Sequence, residues 1–119
     1  MQESNITISI RAVPTKPHLK IIAIKGTFDA VTSMHVDKKI LPVIEQDNSN
    51  IIIDLSNVEY LSSVGIVCLA QYQVLLTEKK RILKFVKPPE RVFETLTLIG
   101  FARKLDMYDG IDAAIGSFK

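Results

Sequence analysis

In the stretch DLSNVEYLSSVGIVCLA, from Asp54 to Ala70, two consecutive hydroxyls, Ser62 and Ser63, stand just before Gly65 and a long apolar run. The pattern reads as a buried strand, a tight polar loop and then a helix, so the serines fall at a helix start. A serine there has three uses. As a cap it accepts from a free amide of the first turn, an arrangement worth about 1 kcal/mol. As a phosphate acceptor it exploits the same donors and the partial positive charge of the helix end, and Ser63 would gain roughly two negative charges without loss of the fold. As a nucleophile it needs a neighbouring base. For that last use the residues are poorly matched: SSVG is not the G-x-S-x-G elbow, and only His18 and His35 could supply an imidazole. His18 follows Pro17 at a strand start and His35 falls on a helix, ordinary places for surface histidines. Capping and phosphate acceptance both stay open on the residues alone. Gly65 would let the backbone of a partner approach closely. No Cys or His pair has metal-ligand spacing and no G-x-x-x-x-G-K-[ST] loop is present, so neither metal nor cofactor is expected.

The elements that must position these serines are read from periodicity. NITISIR, Asn5 to Arg11, alternates apolar and polar as a half-buried or edge strand does. HLKIIAIKG, His18 to Gly26, and SNIIIDLS, Ser49 to Ser56, are rich in β-branched residues, and the three consecutive isoleucines of the second suit a strand covered on both faces. Between them, Val31 to Gln46 predicts a helix with Met34, Ile40, Leu41, Val43 and Ile44 inward and Asp37, Lys38 and Lys39 outside. Pro42 lies in its interior, where proline costs about 3 kcal/mol, so a kink or two short helical pieces are expected.

Val64 to Lys79 predicts a second helix that buries Val67, Cys68, Val74, Leu75 and Leu76. Arg81 to Val86 reads as a fourth strand. Pro89 suits the first position of a third helix with Val92, Phe93, Leu96 and Ile99 inward, and Gly100 suits its C-terminal cap. RKLDMYDG reads as a short last strand and IDAAIGSF as a short last helix; Tyr60 reads as a core residue with its hydroxyl at the rim. The expected fold is α/β: one domain over residues 1–119, a mixed sheet of four or five strands with about four helices packed against it.

Composition narrows the function classes. With 47% hydrophobic and 24% charged residues in 119, the chain is of ordinary globular make-up. Fifteen Lys plus Arg against thirteen Asp plus Glu give +2, scattered along the chain, so no direct contact with nucleic acid is expected. Lys79, Lys80 and Arg81 form the one basic run, and it reads as a solvated cap complementing a helix dipole. The single cysteine, Cys68, cannot form an internal disulfide and points to a reducing compartment. With no basic-plus-apolar leader and no run near the ~18 apolar residues of a membrane span, a cytoplasmic protein without membrane insertion is expected.

GTFDA, Gly26 to Ala30, followed after a helix by IIIDLSNVEYLSSVG, Ile51 to Gly65, resembles the pattern of the bacterial STAS-domain anti-sigma factor antagonists. The order and spacing agree from the first strands through the helix after Pro89, and the serine junction is the most specific part. The resemblance implies a STAS fold and a binding module, not an enzyme. It implies phosphorylation of the serine two places before the glycine, Ser63, by a serine kinase that is itself an anti-sigma factor, with Ser62 as second candidate. Ser62 occupies a position that is often Asp in the family, which removes a negative charge beside the acceptor. Asp29 matches an acidic residue beside the family's phosphorylation site. Partner contact is implied at Asp29, Ser62, Ser63, Val64 and Gly65, and on the helices after Ser63 and after Pro89. Unphosphorylated protein would hold the kinase and free a sigma factor, and a PP2C-type phosphatase would restore that state. Two other readings are a STAS accessory subunit of a transporter, such as a lipid-transport ABC system, with the serine as an interface residue, and a hydrolase using Ser63.

Overall fold

The structure, a computed structural model, describes residues 5–98, 100 and 103–118. Chain order is β1 (Ile6–Val13), β2 (Lys16–Phe28), α1 (Ser33–Gln46), β3 (Asn50–Leu61), α2 (Ser63–Glu78), β4 (Leu83–Val86), α3 (Glu90–Leu98), β5 (Met107–Tyr108) and α4 (Ile111–Gly116). The strands form one sheet in the order β1-β2-β3-β4-β5. β1 and β2 make an antiparallel hairpin, and the remaining pairs are parallel, joined through helices. This is the mixed α/β sheet expected, at five strands.

The isoleucine run explains why the sheet is covered twice. Ile51, Ile53 and Leu55 of β3 join Ile22 and Ile24 of β2 and Phe85 of β4 against α1, α2 and α3. Ile52 points the other way, with Leu19, Ile21 and Val86, into a smaller cluster closed by Ala114 of α4 and Phe118. Successive residues of a strand face opposite sides, so three adjacent isoleucines can be buried only between two layers.

Several helical expectations change. α1 runs unbroken through Pro42, which is exposed, so water can take the Lys38 carbonyl left without its helical donor. Its buried residues are Val36, Ile40 and Ile44; Met34 is 68% exposed. α2 buries Ile66, Cys68, Leu69, Tyr72 and Leu76 and leaves Val67 and Val74 half exposed. That helix is apolar on nearly every side, so spacing alone does not select its inward face. On α3, Val92 and Leu96 are buried, Phe93 is half-buried under the Lys87 ammonium at 4.8 Å, and Ile99 lies outside the described residues. Gly100, at φ +82°, takes the left-handed conformation that ends α3.

In the basic run Lys79 and Lys80 are exposed as expected, and Arg81 is used differently. Arg81 is half-buried, and its guanidinium donates to the carbonyls of Ser49, Ile44 and Val43, closing the C-terminal end of α1 instead of remaining solvated behind α2. Among the described residues no helix is long and apolar enough to cross a membrane.

Candidate functional site

β2 and β3 run parallel and end in register, with Phe28 paired to Leu61. The next residues, Asp29 and Ser62, therefore leave the sheet side by side. β3 is longer than its apolar core suggests. It continues through Ser56, Asn57 and Glu59 to Leu61, so the polar loop expected before the helix reduces to Ser62 alone. Tyr60, expected in the core, is 56% exposed, because the register shifts between the pairs Gly26–Val58 and Thr27–Tyr60, which breaks the alternation and turns Tyr60 outward while Val58 and Leu61 both stay buried.

The two hydroxyls have separate jobs. Ser62 is the N-cap: its backbone is extended, its N–H donates to the Phe28 carbonyl at 3.0 Å, and its Oγ accepts from the Gly65 N–H at 3.3 Å. Ser63 is the first helical residue and is exposed, and among the described residues its hydroxyl makes no hydrogen bond. One serine thus satisfies the helix end while the next presents a free Oγ from it.

Gly65 is needed for a reason other than the one expected. It is buried, and a Cβ there would lie 2.8 Å from the Phe28 carbonyl oxygen and 2.8 Å from Leu61 Cδ1. The backbone that approaches it belongs to β2 of the same chain. The first turn of α2 rests on the end of β2, which fixes where Ser63 projects. Val64, beside it, is 39% exposed.

Asp29 holds the entry to α1. Its Oδ1 accepts from the amides of Val31 at 3.0 Å and Thr32 at 3.1 Å, while its own N–H donates to Thr32 Oγ1 at 2.9 Å. The acidic residue and the serines therefore share one edge of the sheet, and no hydrogen bond joins them among the described residues.

A groove of about 370 Å³ opens between the end of β3, the first turn of α2 and α3, with Ser62, Ser63 and Ile66 on one side and Arg91, Val92 and Thr95 on the other. Arg91 donates from Nη2 to the Glu59 carbonyl at 3.3 Å. Neither histidine lines this groove. Arg91 and Thr95 carry no motif. Topology could have found them, because strand-to-helix junctions of a parallel sheet share one edge, which puts the start of α3 beside the start of α2. Around the same edge Val31 is 84% and Met34 68% exposed, an apolar surface beside the groove. Away from it, Cys68 is buried, and desolvation, with Asp37 adding, pushes its thiol pKa upward and makes it a poor nucleophile.

Comparison with known proteins agrees with this fold. The chain superposes on an anti-sigma factor antagonist from Mycobacterium paratuberculosis with a TM-score of 0.78 at 24% identity, covering 94% of this chain and 92% of that one. The phosphorylated form of the Bacillus cell fate determinant SpoIIAA matches with a TM-score of 0.71 at 15% identity, over 95% of this chain and 100% of that one. A sulfate transporter family protein from Wolinella succinogenes matches at 0.72 and 25% identity, over 89% and 87%. No curated protein matches the sequence. The STAS domain model matches residues 11–114, nearly the whole of the described fold, and the chain belongs to the STAS domain family.

Proposed function

We propose that this chain is an anti-sigma factor antagonist that works by partner switching, a single cytoplasmic STAS module over residues 1–119 with Ser63 as its phosphate acceptor. The observation that carries the reading is the division of labour at the junction: Ser62 is spent on the cap, and Ser63 projects a hydroxyl without a hydrogen bond among the described residues. Ser62 is the poorer acceptor, because modifying it would remove the cap on α2. Unphosphorylated, the edge formed by Asp29, Ser63, Val64 and the exposed faces of α1 and α2 binds an anti-sigma serine kinase, and the sigma factor is set free. Gly65 contributes from beneath, by seating the helix that carries Ser63. A phosphate on Ser63 puts about two negative charges into that contact, and a PP2C-type phosphatase removes them. The chain needs no catalytic group of its own.

The direct test is binding of a candidate kinase to Ser63→Ala and Ser63→Glu. Ser63→Ala should bind constitutively and resist release by ATP, and Ser63→Glu should bind at least about tenfold more weakly, a difference of about 1.4 kcal/mol. Equal affinities would end the proposal. The likeness to a sulfate transporter family protein favours one second reading, a STAS unit serving a transporter, a lipid-transport ABC system among them, in which Ser63 is only an interface residue. Incubation with kinase and ATP followed by mass spectrometry separates the two, since only the first requires a phosphate at Ser63.

A further inference from the structure

Arg91 belongs to the first turn of α3 and lines the groove on the side opposite Ser63. Among the described residues its single hydrogen bond is the 3.3 Å contact to the Glu59 carbonyl, at the long end of the useful range, and no carboxylate lies within ion-pair distance of it. A guanidinium offers five donors in a planar fork, so most of its capacity is unused. We propose that Arg91 is the intramolecular receptor for a phosphate on Ser63: modification draws the guanidinium off the Glu59 carbonyl onto the phosphate oxygens and ties the start of α2 to the start of α3.

The exchange is favourable in kind. A long bond to a neutral carbonyl is replaced by charge-assisted bonds to a dianion, which are shorter and roughly twice as strong. The groups that set the field are few. Arg91 and the exposed Glu59 line the groove, and Asp29, at the neighbouring strand end, keeps Oδ1 engaged by Val31 and Thr32. Thr95, one turn beyond Arg91 on the same wall, supplies a further hydroxyl. Phosphorylation then acts twice, by adding charge to the partner surface and by spanning the groove that the partner would enter.

This inference rests on Ser63 being the acceptor, so its test bypasses the kinase. Phosphoserine is encoded at position 63 of the full chain, and its second ionisation is followed by ³¹P NMR. In the parent chain it should titrate about half a pH unit or more below its value in Arg91→Gln, with Arg91→Lys, which keeps the charge but loses the fork, in between. The unphosphorylated variants should melt with the parent, since Arg91 is exposed. Coincident titration of the parent and Arg91→Gln would overturn the role of Arg91 and leave the switch standing. Failure of kinases to modify Ser63 would remove the switch and leave the titration just as decisive.

Discussion

The two edges of the parallel strands are built on opposite plans. Where β2, β3 and β4 begin, polar groups are consumed by the chain itself: Asp47 takes Lys20 and Ser49, Arg81 takes three carbonyls, and the Asn50 side chain accepts from the Ile82 amide at 2.8 Å. Where β2 and β3 end, groups are left over. Ser63 is free among the described residues, Arg91 makes one long bond, and Val31, Met34 and Tyr60 show more than half their surface to solvent. On the proposed function, stability and recognition occupy opposite ends of the same strands, which would let the recognising end change charge without unfolding the other. Open α/β sheets commonly place ligands at the carboxyl edge, the edge at which the proposed partner contact lies.

The contrast is sharpest at Gly65, where the open edge proves open in its side chains only. Gly65→Ala should cost about 3 kcal/mol in urea unfolding, because the added methyl meets a carbonyl oxygen of β2 that has no room to retreat. A loss under about 1 kcal/mol would mean that this edge has an adaptable backbone as well, and the contrast would fail. Next in size is Arg81→Ala, which strips donors from carbonyls at the end of α1 and should cost about 2 kcal/mol. Below its melting point that variant should still bind the proposed kinase partner with the affinity of the parent chain. Weaker binding there would mean that the two edges are coupled.

What the sequence disclosed follows the same division. The strands were legible because Ile51, Ile52 and Ile53 admit one explanation, burial between two layers, and the serine junction was legible because capping requires a small polar residue at that point. The inward face of α2 was not, since Val67 and Cys68 are equally apolar and only the packed neighbours decide between them. Tyr60 was misplaced because polar residues from Ser56 to Glu59 concealed the continuation of β3, whose pairing with β2 is a long-range fact. Arg91 was silent for a similar reason: nothing in PPERVF says which groove its start adjoins until the sheet order is known.

The smallest effect concerns charge at the closed edge. The Lys20 ammonium, with help from the Ser49 hydroxyl and amide, holds the Asp47 carboxyl well below the usual carboxylate range against the opposing pull of burial. A carboxyl depressed in the folded state contributes stability that is fully present above its unfolded value, near about 4, and is lost as pH falls toward the folded one. The Lys20 and Asp47 side chains are 34% and 24% exposed, so solvent screens the pair and its contribution should be about 1 kcal/mol or less. Asp47→Asn should therefore be slightly less stable than the parent at neutral pH, and the two should converge as the solution is acidified from roughly pH 5 to pH 2. Melting curves across that range, at low salt, measure the convergence. Parallel loss by both chains would mean that Asp47 titrates alike folded and unfolded, and that hydrogen bonds to carbonyls, not charge, close this edge.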